Sequence, residues 1–191
     1  MRTSAPALVL GSVQPEEHVD FAEAEREGVE VARRRSGGGA VLVTEAGVLW
    51  VDVLLPAGDP LWDDDVDRAA LWLGQAWADA LVRLGVGNAT VWNEQMLTNE
   101  WSSRVCFAGV APGEVLLDGK KAVGVSQRRT RHAALFQTAV LLEWQPDNLL
   151  RLLALDPESR RRAEAELASA AVAVPAPPAD LLDAFLAALP A

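Results

Sequence analysis

Arg33-Arg34-Arg35-Ser36-Gly37-Gly38-Gly39-Ala40-Val41 decides how this chain is read. Three arginines run straight into three glycines, and the aliphatic run Ala40 to Val43 follows. Glycine lets a backbone turn where a Cβ would clash, and lets another group approach the main chain closely. Arginine presents a fork of donors suited to carboxylate and phosphate. A cation-flanked glycine loop entering a strand points to a site for an anionic small molecule. The competing reading is an ordinary glycine-rich loop with solvated arginines, because short motifs recur by chance.

The bulk properties bound the choices. The chain has 191 residues, 50% hydrophobic and 23% charged, which is globular composition with enough length for one domain with a core. No apolar run reaches the roughly 18 residues that a membrane span needs. The N-terminal patch is too short for a signal-peptide core and ends in a turn and acids. One cysteine excludes an internal disulfide, and a reducing cytoplasm is the simplest home. A formal net charge of −10 argues against a nucleic-acid binder. The cations are nonetheless gathered at Arg33 to Arg35, Lys120-Lys121, Arg128 to Arg131 and Arg160 to Arg162. Such clustering in an acidic protein can focus positive charge on an anionic ligand, although for Arg160 to Arg162 an exposed helix face is the simpler account.

Outward from the loop, local patterns define the elements. Ala7 to Gly11 reads as a strand, and Pro15 to Arg26 as helical. Ala40 to Val43 and Val48 to Leu55, separated by Glu45-Ala46-Gly47, read as a hairpin. Trp50 and Asp52 share one face of its second strand. Asp63 to Leu84 has acids at its start and helical spacing of Ala69, Leu73, Trp77 and Leu81, and Gly85 ends it. Trp72 and Trp77 read as core aromatics. Thr90 to Trp92, Val105 to Ala108 and Glu114 to Leu117 read as strands, with Asn93 to Ser103 a polar loop. Asp118-Gly119 is a tight-turn signal, and Lys121 to Gln127 is the return strand. Leu135 to Trp144 is strand-like. Helices follow at Pro146 to Leu153, at Pro157 to Ala171 with Asp156 as N-cap, and at Ala179 to Leu189 with Leu181, Leu182, Phe185 and Leu189 on one stripe. Strands before and after one long helix, then further helices, make an α+β pattern with a mixed, mainly antiparallel sheet flanked by helices.

Gly119-Lys120-Lys121-Ala122-Val123-Gly124-Val125-Ser126 is the second informative stretch. A hairpin turn delivers lysines to the start of a strand. Strict alternation puts Lys121 and Val123 on one face, and Ala122 and Gly124 on the other. A β-ladder would fix the direction of Lys121, as a catalytic or binding cation requires. Gly124 leaves space for something to lie against the sheet.

These two stretches together resemble the lipoate–protein ligase and octanoyltransferase superfamily, which includes biotin–protein ligases. Arg33 or Arg34 through Val41 is similar to its R-R-x-S-G-G-G-A-V block, and Gly119 to Ser126 to its G-x-K-x-x-G-S-A block. Gly11-Ser12-Val13-Gln14-Pro15 is a weaker match to an earlier G-x-x-Q-x block. The three occur in family order across residues 7 to about 143. The resemblance implies a class II aminoacyl-synthetase/biotin-ligase-like catalytic domain over residues 1–156, short at its N-terminus, with residues 157–191 a helical tail of the same domain. It implies that a lipoyl or octanoyl group is attached to a lysine of a carrier domain. Lys121 would hold the acyl carbonyl, where a fixed ammonium stabilises charge developing on oxygen. Arg33, Arg34, Arg35, Ser36, Gly37, Gly38, Gly39, Ala40, Gly124, Ser126 and Gln14 would line the ligand site, and no metal ligands are expected. ATP and magnesium are implied for a ligase, and no cofactor for a transferase. The partners implied are a lipoyl domain or acyl-carrier protein and lipoate or octanoate, without nucleic acid or membrane, and with an accessory subunit left open.

Cys106 separates the branches. It stands in Val105-Cys106-Phe107, 15 positions before Lys121, a separation similar to that in octanoyltransferases that look like ligases. On the thioester route it is the nucleophile, with thiolate character favoured by a nearby lysine; otherwise it is a small buried hydrophobe. The chain departs from the family pattern at Val43-Thr44, where His-Asp is common, and at Gln137-Thr138, where His-Gly is common. His18 and His132 both read as solvated. These departures favour the alternative of a non-catalytic acyl- or adenylate-binding module on the same scaffold. Biotin ligation is the weakest fit, since its G-R-G-R loop is not found.

Overall fold

The computed structural model describes residues 5–190. Strands β1 (Ala7–Leu10), β2 (Glu30–Arg33) and β3 (Val41–Val43) form a small mixed sheet in the order β2-β1-β3. β1 runs parallel to β2 and antiparallel to β3. Strands β4 (Val48–Pro56), β5 (Ala89–Val91), β6 (Val115–Leu117), β7 (Lys120–Arg129) and β8 (Ala133–Leu141) form an antiparallel sheet in the order β4-β8-β7-β6-β5. The helices are α1 (Phe21–Arg26), α2 (Leu71–Arg83), α3 (Pro146–Arg151), α4 (Pro157–Leu167) and α5 (Pro178–Ala188). This is the expected α+β fold with a mainly antiparallel sheet flanked by helices.

One core lies between the five-stranded sheet and helices α2 and α5. Trp77 is fully buried and stacks on Phe185 with ring centroids 4.1 Å apart, and Trp72 meets Phe136 edge-on. Both tryptophans are thus packing groups. Leu181 and Phe185 are the buried members of the α5 stripe. A second core joins β1 to α1, α3 and α4 through Leu8, Leu10, Leu150, Leu153 and Leu167. The Asp156 carboxylate caps α4 by accepting from the amides of Glu158 and Ser159 at 3.0 Å each.

Four expectations need correction. Ala40–Val43 and Val48–Leu55 are not a hairpin: β3 pairs with β1 and β4 with β8, so the turn at Glu45-Ala46-Gly47 carries the chain from one sheet to the other. The long helix starts at Leu71 rather than Asp63. The side chains of Asp63 and Asp65 accept from the amides two residues on, at 2.8 and 3.0 Å, and these local turns compete with helix. Pro15–Arg26 is a 3₁₀ turn at Glu16–His18 followed by the short α1, whose N-cap Asp20 accepts from Glu23. Cys106–Ala108 is a single 3₁₀ turn rather than a strand.

The fifth departure sets the site. Asp118 and Gly119 both have positive φ, 50° and 80°, as a two-residue hairpin turn demands. Beyond that turn the ladder slips: Leu116 faces Lys121, but Val115 faces Val123. Ala122 is therefore the extra residue of a β-bulge, and it shares the α2 core with Val123. The slip reverses the alternation, so Lys121 and Gly124 lie on the same face instead of opposite ones. A Cβ on Gly124 would stand 3.4 Å from Lys121 Cε.

Candidate active site

The glycine block is built by backbone contacts. The Arg34 guanidinium, 6% exposed, donates from Nε and Nη2 to Gly37 O at 3.2 and 2.6 Å, from Nη1 to Val9 O at 3.1 Å and from Nη2 to Gly39 O at 2.9 Å. Ser12 N donates to Ser36 O, and Gly38 O packs against Gly11 so closely that a Cβ there would lie 1.8 Å away. The carbonyls from Ser36 to Gly39 are thus all drawn toward the end of β1. In a trans peptide the following amide points the opposite way. The amides of Gly37, Gly38 and Gly39 meet no acceptor among the described residues, and all three glycines line a cavity.

The same loop carries Cys106 to its place. Ala40 N donates to Arg104 O at 2.8 Å, and Cys106 N to Ala40 O at 3.0 Å. A Cβ at Gly39 would lie 2.6 Å from Val105 N, so only glycine lets the two segments meet this closely. Cys106 Sγ then stands 4.0 Å from Arg34 Nη2. No carboxylate pairs with Arg34 among the described residues.

Lys121 occupies the opposite wall and is 4% exposed. Its Nζ lies 2.7 Å from Glu114 Oε2 and donates to Cys106 O at 2.8 Å and Gly109 O at 3.0 Å. The Phe107 ring lies beneath, its centroid 5.0 Å from Nζ. Glu114 also accepts from the amides of Ala111 and Val125, at 2.8 and 3.1 Å. Burial pushes the Glu114 carboxyl above the usual carboxylate range, against the pull of Lys121 and those two amides.

Between the walls lies a cavity of about 650 Å³, a size suited to a small organic ligand. Ala70, Met96, Leu97, Val110, Pro112 and Val125 supply apolar lining, and Asn99, Ser102, Ser126 and Gln127 supply polar groups. Of the residues singled out from sequence, Gly37, Gly38, Gly39, Cys106, Lys121 and Ser126 come together around it. Arg33, Arg34, Ser36, Ala40, Gln14 and Gly124 stand behind this lining. Arg33 donates to Gly11 O and Gln14 O, at 2.9 and 2.6 Å, and Gln14 Nε2 to Arg104 O at 3.2 Å. Arg35 is exposed and bonds to no side chain among the described residues. Ser36 Oγ donates to Gln137 Oε1 at 2.8 Å and lies 2.8 Å from Ser126 Oγ, while Gln137 Nε2 reaches Asp52. Gln137 thereby ties the glycine loop to β4. Neither His18 nor His132 reaches the cavity lining. Burial and Arg104 lower the pKa of His18, and His132 accepts from Arg131 Nε in the exposed β7–β8 turn.

Sequence reasoning missed Glu114 and the wall formed by residues 96–112. Glu114 was within reach of a register argument, since the Asp118-Gly119 hairpin folds it back alongside β7. The 96–112 wall has no periodic pattern; its shape comes from contacts such as the Leu97–Val110 bridge and the bond from Asn99 Nδ2 to Ala108 O.

The mainly antiparallel sheet flanked by helices is a fold shared with lipoate ligases. The archaeal bi-partite lipoate protein ligase of Thermoplasma acidophilum superposes with a TM-score of 0.74 at 20% identity, covering 96% of this chain and 66% of that one. Lipoate-protein ligase A bound with ATP gives 0.71 at 21%, covering 96% and 67%. The chain belongs to the lipoyl protein ligase A/B catalytic domain family, whose model matches residues 1–174. It is 31% identical over 162 residues to octanoyltransferase LipM of Carboxydothermus hydrogenoformans, and 24% identical over 158 residues to that of Clostridioides difficile. These alignments cover 83% and 82% of this chain and 58% of each relative, so the chain spans little more than half their length. No helix among the described residues is long and apolar enough to cross a membrane.

Proposed function

We propose that this chain carries out acyl transfer: it takes an octanoyl or lipoyl group onto Cys106 as a thioester and passes it to a lysine of a lipoyl domain. The observation that carries this is the placing of Cys106 on the same cavity wall as the amides of Gly37, Gly38 and Gly39, which meet no acceptor among the described residues, with its sulfur 4.0 Å from a buried arginine that no carboxylate pairs among the described residues. The octanoyltransferase names of the relatives agree with it. In the first step Cys106 sulfur attacks the donor thioester carbonyl. The carbon–sulfur bond to the carrier breaks, and the carrier thiol leaves with the proton that Cys106 gave up. In the second step the ε-amine of the acceptor lysine attacks the Cys106 thioester, an amide forms, and the thiol is restored with a proton from the amine. Each step passes through an oxyanion, and main-chain amides aimed into the site stabilise such charge. The apolar lining accommodates the acyl chain.

The ATP-dependent route calls for a free cation at the phosphates. The one lysine or arginine among the described lining residues is Lys121, whose donors are already engaged. The site therefore fits the thioester route better. We also take residues 157–191 as part of the same unit. Val172 N bonds to Lys121 O, Val174 N to Leu141 O, and α5 closes the α2 core.

Incubation with octanoyl-acyl-carrier protein should give an octanoyl adduct on Cys106 by mass spectrometry, and transfer when a lipoyl domain is added. Cys106→Ser should abolish transfer. Folded wild-type protein that gives neither adduct nor product would leave the non-catalytic binding module as the better account.

A further inference from the structure

We propose that Ser126 is a further catalytic residue: its hydroxyl faces the cavity as a hydrogen-bond acceptor and takes an N–H of the acceptor lysine while that amine attacks the acyl group. This deepens the acyl-transfer reading and rests on it. It adds to the parts played by Cys106 and Lys121 and replaces neither.

The sense of the hydroxyl follows from a chain of side chains. The chain ends at Asp52, whose ionised carboxylate can only accept. Asp52 Oδ1 takes Trp50 Nε1 at 2.8 Å and Gln137 Nε2 at 3.2 Å. That fixes the Gln137 amide, with its NH2 toward Asp52 and its Oε1 toward Ser36. Ser36 Oγ is buried, lies 2.8 Å from that oxygen and donates its one proton there. Toward Ser126 Oγ, 2.8 Å away, Ser36 can then only be an acceptor. The other protein group near Ser126 Oγ is Gln137 O at 3.4 Å, also an acceptor. The Ser126 proton is therefore turned inward whichever of the two it meets. Its lone pairs are left for the cavity that Ser126 lines.

The neighbours on that wall have the opposite polarity. The amides of Gly37, Gly38 and Gly39 are donors, and they suit an oxyanion. A fixed acceptor beside them suits a group that carries N–H bonds. In the second step the neutral lysine amine bonds to the thioester carbon, and the carbonyl electrons move onto oxygen. The nitrogen becomes positive while it still holds both protons, and one of them lies on Ser126. The carbon–sulfur bond then breaks, and the surplus proton passes from nitrogen to the Cys106 sulfur. A hydrogen bond to the nitrogen strengthens as this charge develops, and the Asp52 carboxylate at the far end polarises the chain in the same sense. The first step gains nothing from it, because there the nucleophile is sulfur.

The two steps can be timed apart by mass spectrometry. Loading of Cys106 from octanoyl-acyl-carrier protein reports the first, and mixing preloaded protein with a lipoyl domain reports the second. Ser126→Ala should slow the second step about 10- to 100-fold, the range for a hydrogen bond to a charged group, and loading much less. Asp52→Asn acts from outside the cavity, at an exposed side chain. It frees the Gln137 amide to turn over and so to reverse the chain. It should slow the second step in the same direction with the urea midpoint little changed. Wild-type rates of the second step in both variants, with Cys106 still acylated, would overturn the role of Ser126 and leave the transferase reading standing. Loading slowed as much as transfer, or more, would place the N–H on the acyl donor and equally overturn it. Wild-type protein that never acylates at Cys106 would overturn the transferase reading, and the role of Ser126 with it.

Discussion

The two walls of the cavity bury their cations in opposite ways. On the glycine side, Arg34 bonds to neutral carbonyls of Val9, Gly37 and Gly39. On the hairpin side, Lys121 lies against a carboxylate. A buried charge without a counterion is costly, and its field persists in the low-dielectric surroundings. A paired charge has little field left at a distance. The difference assigns the work. Arg34 shapes the loop, turns three amides away from itself and leaves positive potential beside Cys106 Sγ. Lys121 and Glu114 form a nearly neutral pair.

The sharpest way to break this comparison is Arg34→Met. It orphans three backbone carbonyls at once. With about 1–3 kcal/mol for the buried Gly39 acceptor left unpaired, and about 0.5–1.5 kcal/mol for each of the two part-buried contacts, the loss of stability should be at least about 2 kcal/mol, read from urea unfolding. Arg34→Lys should recover only part of it, because one ammonium cannot span the fork of contacts that the guanidinium makes. A stability change within about 0.5 kcal/mol, the range of an ordinary surface substitution, would show that the glycine loop holds itself and that the arginine serves only a ligand.

Next in size is Gly11→Ala. A Cβ there meets Gly38 O at 1.8 Å, and the obstruction is backbone rather than a flexible side-chain tip. Overpacking of this kind costs about 1–3 kcal/mol. Because the displaced atom belongs to the loop, octanoyl transfer should fall more steeply than stability. A variant that unfolds earlier in urea but transfers at the wild-type rate would separate the loop position from the chemistry. Ser36→Ala is a smaller test of the same wall. It removes a buried hydroxyl from between Ser126 and Gln137, with an expected cost of about 0.5–1.5 kcal/mol in stability.

Much of this site was legible in the sequence, for identifiable reasons. The Arg-Gly block and the Asp118-Gly119 hairpin are local signals, and each requires backbone conformations that few residues allow. Cys106 and Lys121 could be matched by their spacing. What could not be read was which way the groups point. Arginines beside glycines look like ligand donors, yet Arg33 and Arg34 turn back onto the main chain that carries them. Lys121 and Gly124 were assigned to opposite faces because alternation assumes an unbroken ladder, and nothing in Lys121-Ala122-Val123 announces a bulge. Two alternating runs, 40–43 and 48–55, look like a hairpin when only their spacing is seen. The partners that divert them, β1 and β8, lie more than 30 and more than 75 positions away. The start of α2 was missed for a local reason, since aspartates favour both helix N-termini and the turns that delay them.

The smallest effect tests the Lys121 wall through pH. Burial raises the Glu114 carboxyl in the folded protein above the ordinary glutamate value of 4.5. The folded state therefore holds this proton more tightly than the unfolded chain does. Its contribution to stability is fully present below the unfolded pKa and is lost as pH rises from about 4.5 through the folded value. Exposed carboxylates such as Asp63, lowered by Arg68, work in the opposite direction and obscure this in the wild-type profile. Subtracting the profile of Glu114→Gln from that of wild type isolates the one group. The difference should move against wild type as pH rises out of the acid range and then level off. A difference that instead grows in favour of wild type would mean that Lys121 and the two amides outweigh burial. The hairpin wall would then resemble the glycine wall less than its neutral contacts suggest, as a charge pair that stabilises the fold in its own right.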